Sequence, residues 1–149
     1  MQRLLSLTLA PRGDHGRIAW LLLAARVIPG AVFMVTGIGK FVTFQSEVDA
    51  FRSFGIPAPE VMVVLAGLLE AIGGLLLILG LLTRPVALAL AVNMGIAIGT
   101  AGRVVGGPFH LGVAPALLVL MLVLVWSGAT KWSLDRRLLA RLGGPVSRA

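Results

Sequence analysis

Four long apolar runs dominate the chain, at Ile18–Ile38, Val61–Leu82, Pro85–Gly102 and Phe109–Ser127. Each approaches the ~20 residues that an α-helix needs to cross ~30 Å of hydrocarbon, so the pattern predicts four membrane-spanning helices. Between the first two runs, Phe41, Phe44, Val48 and Phe51 recur at helical spacing, with Gln45, Glu47, Asp49 and Arg52 on other faces. This predicts a short amphipathic helix in the outer membrane interface, ended by Gly55-Ile56-Pro57-Ala58-Pro59. After the last run, Leu134, Leu138 and Leu142 share one side of a segment that carries Arg136, Arg137 and Arg141 on the other. That segment reads as a helix on the cytoplasmic membrane surface, with Ser133 as its N-cap and its arginines facing anionic lipid. A short apolar stretch, Met1–Ala10, is expected to rest on the membrane or on another subunit before Pro11-Arg12-Gly13-Asp14 breaks it. No linker or internal repeat is evident in the 149 residues. The expected architecture is one all-α domain, residues 1–149, an integral-membrane four-helix bundle with one outer and one inner surface helix.

Small residues predict how the spans meet. Gly67, Glu70, Gly73 and Gly74 lie on neighbouring positions of one face of the second span. Small side chains let helices approach closely in lipid, so this face should point into the bundle. Gly80-Leu81-Leu82-Thr83-Arg84-Pro85 reads as a tight turn, with Pro85 in the first turn of the third span. That span carries two small-residue lines: Ala87, Ala91, Gly95 and Gly99, and Ala89, Asn93 and Ala97. The Gly95–Gly99 pair is expected to serve packing within the chain. Gly106-Gly107-Pro108 forms the second outer turn, and Pro115 interrupts the start of the fourth span.

Composition agrees with a polytopic membrane protein: 58% hydrophobic residues and 13% charged, with a mean hydropathy of +0.99. The chain has no cysteine, which excludes disulfide exchange, thiolate catalysis and iron–sulfur ligation by this chain alone. Its two histidines, His15 and His110, fall on opposite expected sides, which argues against a haem held by both. No metal site is expected. The net charge of +7 reports topology rather than nucleic-acid binding. Arg3, Arg12, Arg17, Arg84, Lys131, Arg136, Arg137, Arg141 and Arg148 gather on one side, while the other loops hold Lys40, Arg52 and Arg103 beside Glu47, Asp49 and Glu60. The positive-inside rule then puts both termini in the cytoplasm, with Trp20, Trp126 and Trp132 at the inner boundary. No cleavable signal peptide is expected, because the first span begins late and contains Arg26.

Arg26 and Glu70 stand inside apolar spans, where a lone charge is costly and usually faces a partner or a site. At ~1.5 Å per residue, Arg26 lies roughly 12 Å and Glu70 roughly 18 Å from the inner ends of their spans, with Asn93 roughly 12 Å from the start of the third. These depths predict a cluster of Arg26, Glu70 and Asn93. One reading is a buried ion pair, completed by an amide, that fixes helix register. The other is a polar site for a quinone head group, a proton or a small anion. Pro29 frees the carbonyl of Ala25, a candidate acceptor for Arg26, or else only shapes packing. Lys40 and His110 are expected at the outer boundary, His110 as an interfacial hydrogen-bonder without a catalytic role.

Several pieces recur together in one family. Arg26 is followed by Gly30-x-x-Phe33-x-x-x-Gly37-x-x-Lys40, then Phe54-Gly55-Ile56-Pro57, Gly67-x-x-Glu70-x-x-Gly73-Gly74, Leu79-Gly80-Leu81-Leu82-Thr83-Arg84, and Lys131-Trp132-Ser133-Leu134-Asp135. In their order and spacing, over roughly Ala25–Asp135, the chain resembles the DoxX family of small bacterial membrane proteins. The closing motif departs slightly, with Gly128-Ala129-Thr130-Lys131 where the family often has Gly-Pro-Gly-Arg. The resemblance implies a four-helix bundle in the bacterial inner membrane and association with oxidoreductase systems; a related protein is a subunit of thiosulfate:quinone oxidoreductase. It points to an accessory, non-catalytic subunit of an electron-transfer complex, with the bilayer and other membrane subunits as partners. No covalent cofactor is expected; a quinone or lipid would be held by Arg26, Glu70 and Asn93. The alternatives are a quinone-reducing membrane subunit and a small proton-coupled transporter acting as a homo-oligomer. Arg26 at the depth of Glu70 would argue against the transporter, since it would neutralise the carboxylate and repel cations.

Overall fold

The first apolar run folds as α1 (Gly16–Val42), followed by α2 (Phe44–Ser53), α3 (Pro59–Leu79), α4 (Thr83–Gly99) and a one-turn α5 (Ala101–Val104). A wide π-helical turn at Phe109–Val113 leads into α6 (Ala114–Ser127), and α7 (Leu134–Leu142) closes the chain. The computed structural model describes residues 16–128 and 132–142, and no strand occurs among them. Four stretches are long and apolar enough to cross a bilayer: Ala19–Val42, Pro59–Leu79, Thr83–Val104 and Phe109–Ser127. They match the expected spans to within a few residues, and the all-α membrane bundle is the fold observed. Helices are the natural outcome, because hydrocarbon offers no partner for an unpaired backbone group. Met1–Ala10, Pro11–Asp14, His15 and Lys131 lie outside the described residues.

Glycines set the register between α1 and α3, which pack more extensively than any other pair of helices. A Cβ on Gly30 would sit 2.9 Å from the carbonyl oxygen of Gly74, and one on Gly37 would sit 2.7 Å from that of Gly67 and against the backbone nitrogen of Ala71. The expected inner face of α3 is buried as read: Gly67, Glu70, Gly73 and Gly74. Gly73 faces Leu90 of α4, and α4 packs in turn on α6 through Ala87, Leu90, Met94, Leu117, Met121 and Leu124. Gly37→Ala is expected to cost about 1–3 kcal/mol, because backbone must move to admit the methyl. Gly95→Ala should be neutral, since nothing lies within 4 Å of its added methyl. Thermal unfolding of the two variants in detergent checks the contrast.

That open space corrects one expectation. Ala87 and Ala91 are buried, but Gly95 and Gly99 continue the line onto the exposed flank of α4. The Gly95–Gly99 pair does not pack within the chain, because α4 turns that part of its face away from both neighbours.

The two ends of the bundle differ. At one end the rings of Trp20 and Trp132 lie 4.5 Å apart, and Trp126 is also exposed, so the start of α1, the end of α6 and the start of α7 meet there. At the other end α2 lies over the bundle with Val48 buried beneath it, as its amphipathic spacing predicts. Arg52 ties α2 to the start of α3 through Glu60 at 2.9 Å and pairs within α2 with Asp49 at 3.0 Å. These exposed pairs contribute about 0–1 kcal/mol each. The larger contribution of α2 is its aromatic underside, which roofs the interior of the bundle with Phe51 and the adjoining Phe54.

Candidate functional site

Glu70 stands on the buried face of α3, only 3% exposed, and both of its oxygens are held. Lys40 Nζ donates to Oε2 at 2.6 Å, Thr36 Oγ1 donates to the same oxygen at 3.0 Å, and Asn93 Nδ2 donates to Oε1 at 2.8 Å. An ionised carboxylate only accepts, so the Asn93 amide must turn its nitrogen toward Glu70 and leave its oxygen for another donor. Thr36 and Lys40 are four residues apart and share one face of α1. Lys40 lies in the last turn of that helix, where the macrodipole favours a cation.

A cavity of about 110 Å³ opens beside this network. That far exceeds the ~10–15 Å³ that one water requires. Lys40, Glu70 and Asn93 supply its polar wall, with Thr36 and Phe33 beside them, and Glu47, Phe51 and Phe54 of the α2 region cover it. Lys40 carries three N–H donors, and Glu70 takes one; the others have no protein partner among the described residues. The cavity therefore offers ammonium donors and an amide acceptor between phenyl rings. His110 lies nearby at the margin: Gly106 O accepts from its Nδ1 at 3.2 Å, and its ring stands edge-on to Phe54 and Phe109. It is a hydrogen-bonder beside the Gly106-Gly107-Pro108 turn. Among the described residues, no group of three His, Cys, Asp or Glu is placed to hold a metal ion.

Arg26 belongs to a different centre, and the expected three-residue cluster is corrected here. The structure brings Glu70 and Asn93 together and sets Arg26 at the tryptophan end. Arg26 is 1% exposed, its Nη2 donates to the carbonyl of Trp132 at 3.3 Å, and its guanidinium packs against Gly80. Next to it Asp135, also 1% exposed, accepts from the backbone N–H of Leu82 at 2.7 Å and of Thr83 at 2.9 Å, and from Thr83 Oγ1 at 2.9 Å. The Asp135 N–H returns a bond to Gly80 O at 2.9 Å. Leu82 precedes α4 in a left-handed conformation, φ 52°, without a side-chain cap of its own. Asp135 caps α4 from across the chain, and Arg26 supplies the opposite charge. Ser133 accepts from the Arg136 N–H at 3.3 Å, which is the N-cap expected for α7.

The error in depth has a physical cause. Helical side chains lean toward the helix N-terminus, so Arg26 reaches back toward the start of α1, while Lys40 leans from the far end into the bundle. The glycine register then places Glu70 opposite the Thr36–Lys40 turn. Ten residues, roughly 15 Å of helix, separate Arg26 from Thr36. Lys40 and Thr36 are the residues that sequence reasoning missed, although Gly37-x-x-Lys40 was visible as a motif. Asp135 and Thr83 were likewise visible in motifs without a role.

Comparison with known proteins places these features in a family. The DoxX family profile matches residues 21–103, a stretch that contains Arg26, Thr36, Lys40, Glu70 and Asn93. The chain is 34% identical over 145 residues to "Uncharacterized membrane protein Rv3486" of Mycobacterium tuberculosis, covering 88% of this chain and 89% of that protein. It is 32% identical over 127 residues to "Inner membrane protein YphA" of Escherichia coli, covering 78% and 89% respectively. A shorter match, 38% identical over 72 residues, takes in 48% of this chain and 52% of "Putative oxidoreductase CatD" of Bacillus subtilis. No solved structure matches the chain. With the profile and the first two relatives in agreement, this chain is a membrane protein of the DoxX family.

Proposed function

We propose that the protein is an integral-membrane subunit serving an oxidoreductase complex in the bacterial inner membrane, with both termini cytoplasmic, and that its Glu70 cavity holds a quinone-type head group. The observation that carries this reading is the buried, triply held Glu70 carboxylate with Lys40 and Asn93 beside a cavity under aromatic cover. A structural ion pair alone requires no adjoining cavity. The name of the Bacillus subtilis relative supports the oxidoreductase setting, and the absence of cysteine favours a partner chain as the source of thiol or iron–sulfur chemistry. When bound, a quinone would supply electron-accepting chemistry. This chain's part is to orient a ring oxygen toward Lys40 Nζ, hold that Nζ in place through its 2.6 Å bond to Glu70, and present the Asn93 oxygen to a hydroxyl. Against a cation transporter, Lys40 bonded directly to Glu70 neutralises the carboxylate and repels a cation.

Extraction from native membranes into nanodiscs, with mass spectrometry of all that accompanies the chain, tests the setting. A redox protein in fixed ratio together with bound quinone is the expected result. In the assembled complex, Glu70→Gln should lower quinone turnover roughly tenfold or more without dissociating the subunits. A lone chain that retains no quinone, after native and nanodisc extraction agree, would overturn the reading.

A further inference from the structure

The seam between α3 and α4 closes at the tryptophan end and opens toward the α2 end. Near the tight turn, Gly73 meets Leu90 at contact distance, and one turn farther out Asn93 bonds Glu70. Beyond that bond a second hollow lies on the outer flank, an apolar groove between Met62, Leu65 and Leu69 of α3 and Ile96 of α4. Met62, Leu65 and Ile96 are exposed there, on a surface that faces acyl chains in a bilayer. The groove and the polar cavity share Phe51, Ile56, Ala66, Asn93 and Ile96, so the two hollows adjoin along these residues. Asn93 is the single polar residue of the groove and stands at its inner end.

We infer that this groove is a lateral portal through which a lipid-phase molecule passes an uncharged, oxygen-bearing head to Lys40, Glu70 and Asn93, its apolar tail remaining between α3 and α4. The inference rests on the reading of the cavity as a head-group site and adds the route of entry and the place of the tail. Charge chooses the head. The cavity wall carries one cation, Lys40, and two carboxylates, Glu70 and Glu47, so an anionic phospholipid head meets net repulsion. A cationic head finds Glu70 already paired with Lys40 at 2.6 Å and would have to displace that ammonium to reach it. A neutral ring with carbonyl or hydroxyl oxygens meets donors from Lys40, an acceptor from Asn93 and the faces of Phe51 and Phe54. Apart from Asn93 the groove walls are apolar, which suits an apolar tail.

The test compares two probes on the full-length protein in nanodiscs, a tail-less dimethoxy-methyl-benzoquinone and the same head carrying a decyl chain. Retention is measured above that of protein-free nanodiscs. Leu65→Trp fills the groove from an exposed position, and Leu122→Trp, exposed on α6 outside the groove, is the control. Read at equilibrium, where the route of entry does not matter and only the decyl tail occupies the groove, retention of the decyl probe should fall about tenfold in Leu65→Trp, with tail-less retention and the Leu122→Trp control unchanged. Equal losses for both probes, or no loss for either, would overturn the portal while leaving the head-group cavity standing. Failure of the wild-type protein to retain either probe would remove the cavity reading and the portal with it.

Discussion

Lys40→Met is expected to destabilise the bundle by about 3–5 kcal/mol, the cost of leaving a buried carboxylate without its counter-charge. Glu70 would keep Thr36 and Asn93, but two neutral donors do not replace an ammonium at 2.6 Å. The loss belongs to the broken pair and not to the lysine itself. Lys40→Met combined with Glu70→Met should therefore recover most of the stability, since matched apolar groups remove both desolvation costs together. The four proteins form a double-mutant cycle, read by unfolding in mixed micelles. A double variant as unstable as the sum of the two single ones would show that the two residues act independently.

Asp135→Ala should cost about 2–4 kcal/mol and free α7 from the bundle. The carboxylate accepts three bonds from the first residues of α4 and the turn before it, and loss of such a cap alone costs about 1–2 kcal/mol. The buried Arg26 guanidinium would also lose its nearby negative charge, and the left-handed Leu82 would lose the bond that holds its N–H. Asp135→Asn should retain part of the effect, because one of its two terminal atoms can still accept. Faster proteolytic removal of α7, with the four spans intact, is the expected signature. Cleavage at the wild-type rate would place the anchor of α7 elsewhere.

Much of this architecture was legible in the chain because hydrophobic runs, amphipathic spacing and small-residue faces are local signals. The spans, the α2 helix with Val48 inward, the Gly67–Gly74 face and the Ser133 cap all derive from residues a few positions apart. The partner of Glu70 did not, because it depends on how far α1 slides past α3. Gly30 and Gly37 set that slide by backbone contact, and their close approach has no signature in hydropathy. Counting depth from helix ends also treats side chains as points on the axis. A lysine and an arginine each reach several ångströms along the helix, and in α1 that reach separates Lys40, which joins Glu70, from Arg26, which joins the α7 end. Gly95 and Gly99 misled for a related reason: a small-residue line predicts close approach, but the rotation of α4 decides which part of the line meets a neighbour.

Two buried charged centres thus divide the work of the bundle, one tying α7 and α4 together and one facing the cavity. The measurement that separates them most directly is quinone retained by nanodisc-embedded protein for Glu70→Gln and for Arg26→Lys, each scored on monodisperse material. Glu70→Gln should lose most of the retained quinone while Arg26→Lys keeps it, because only the first alters the cavity wall. Equal retention in both variants, or loss confined to Arg26→Lys, would contradict the assignment of ligand binding to the Lys40–Glu70–Asn93 cavity.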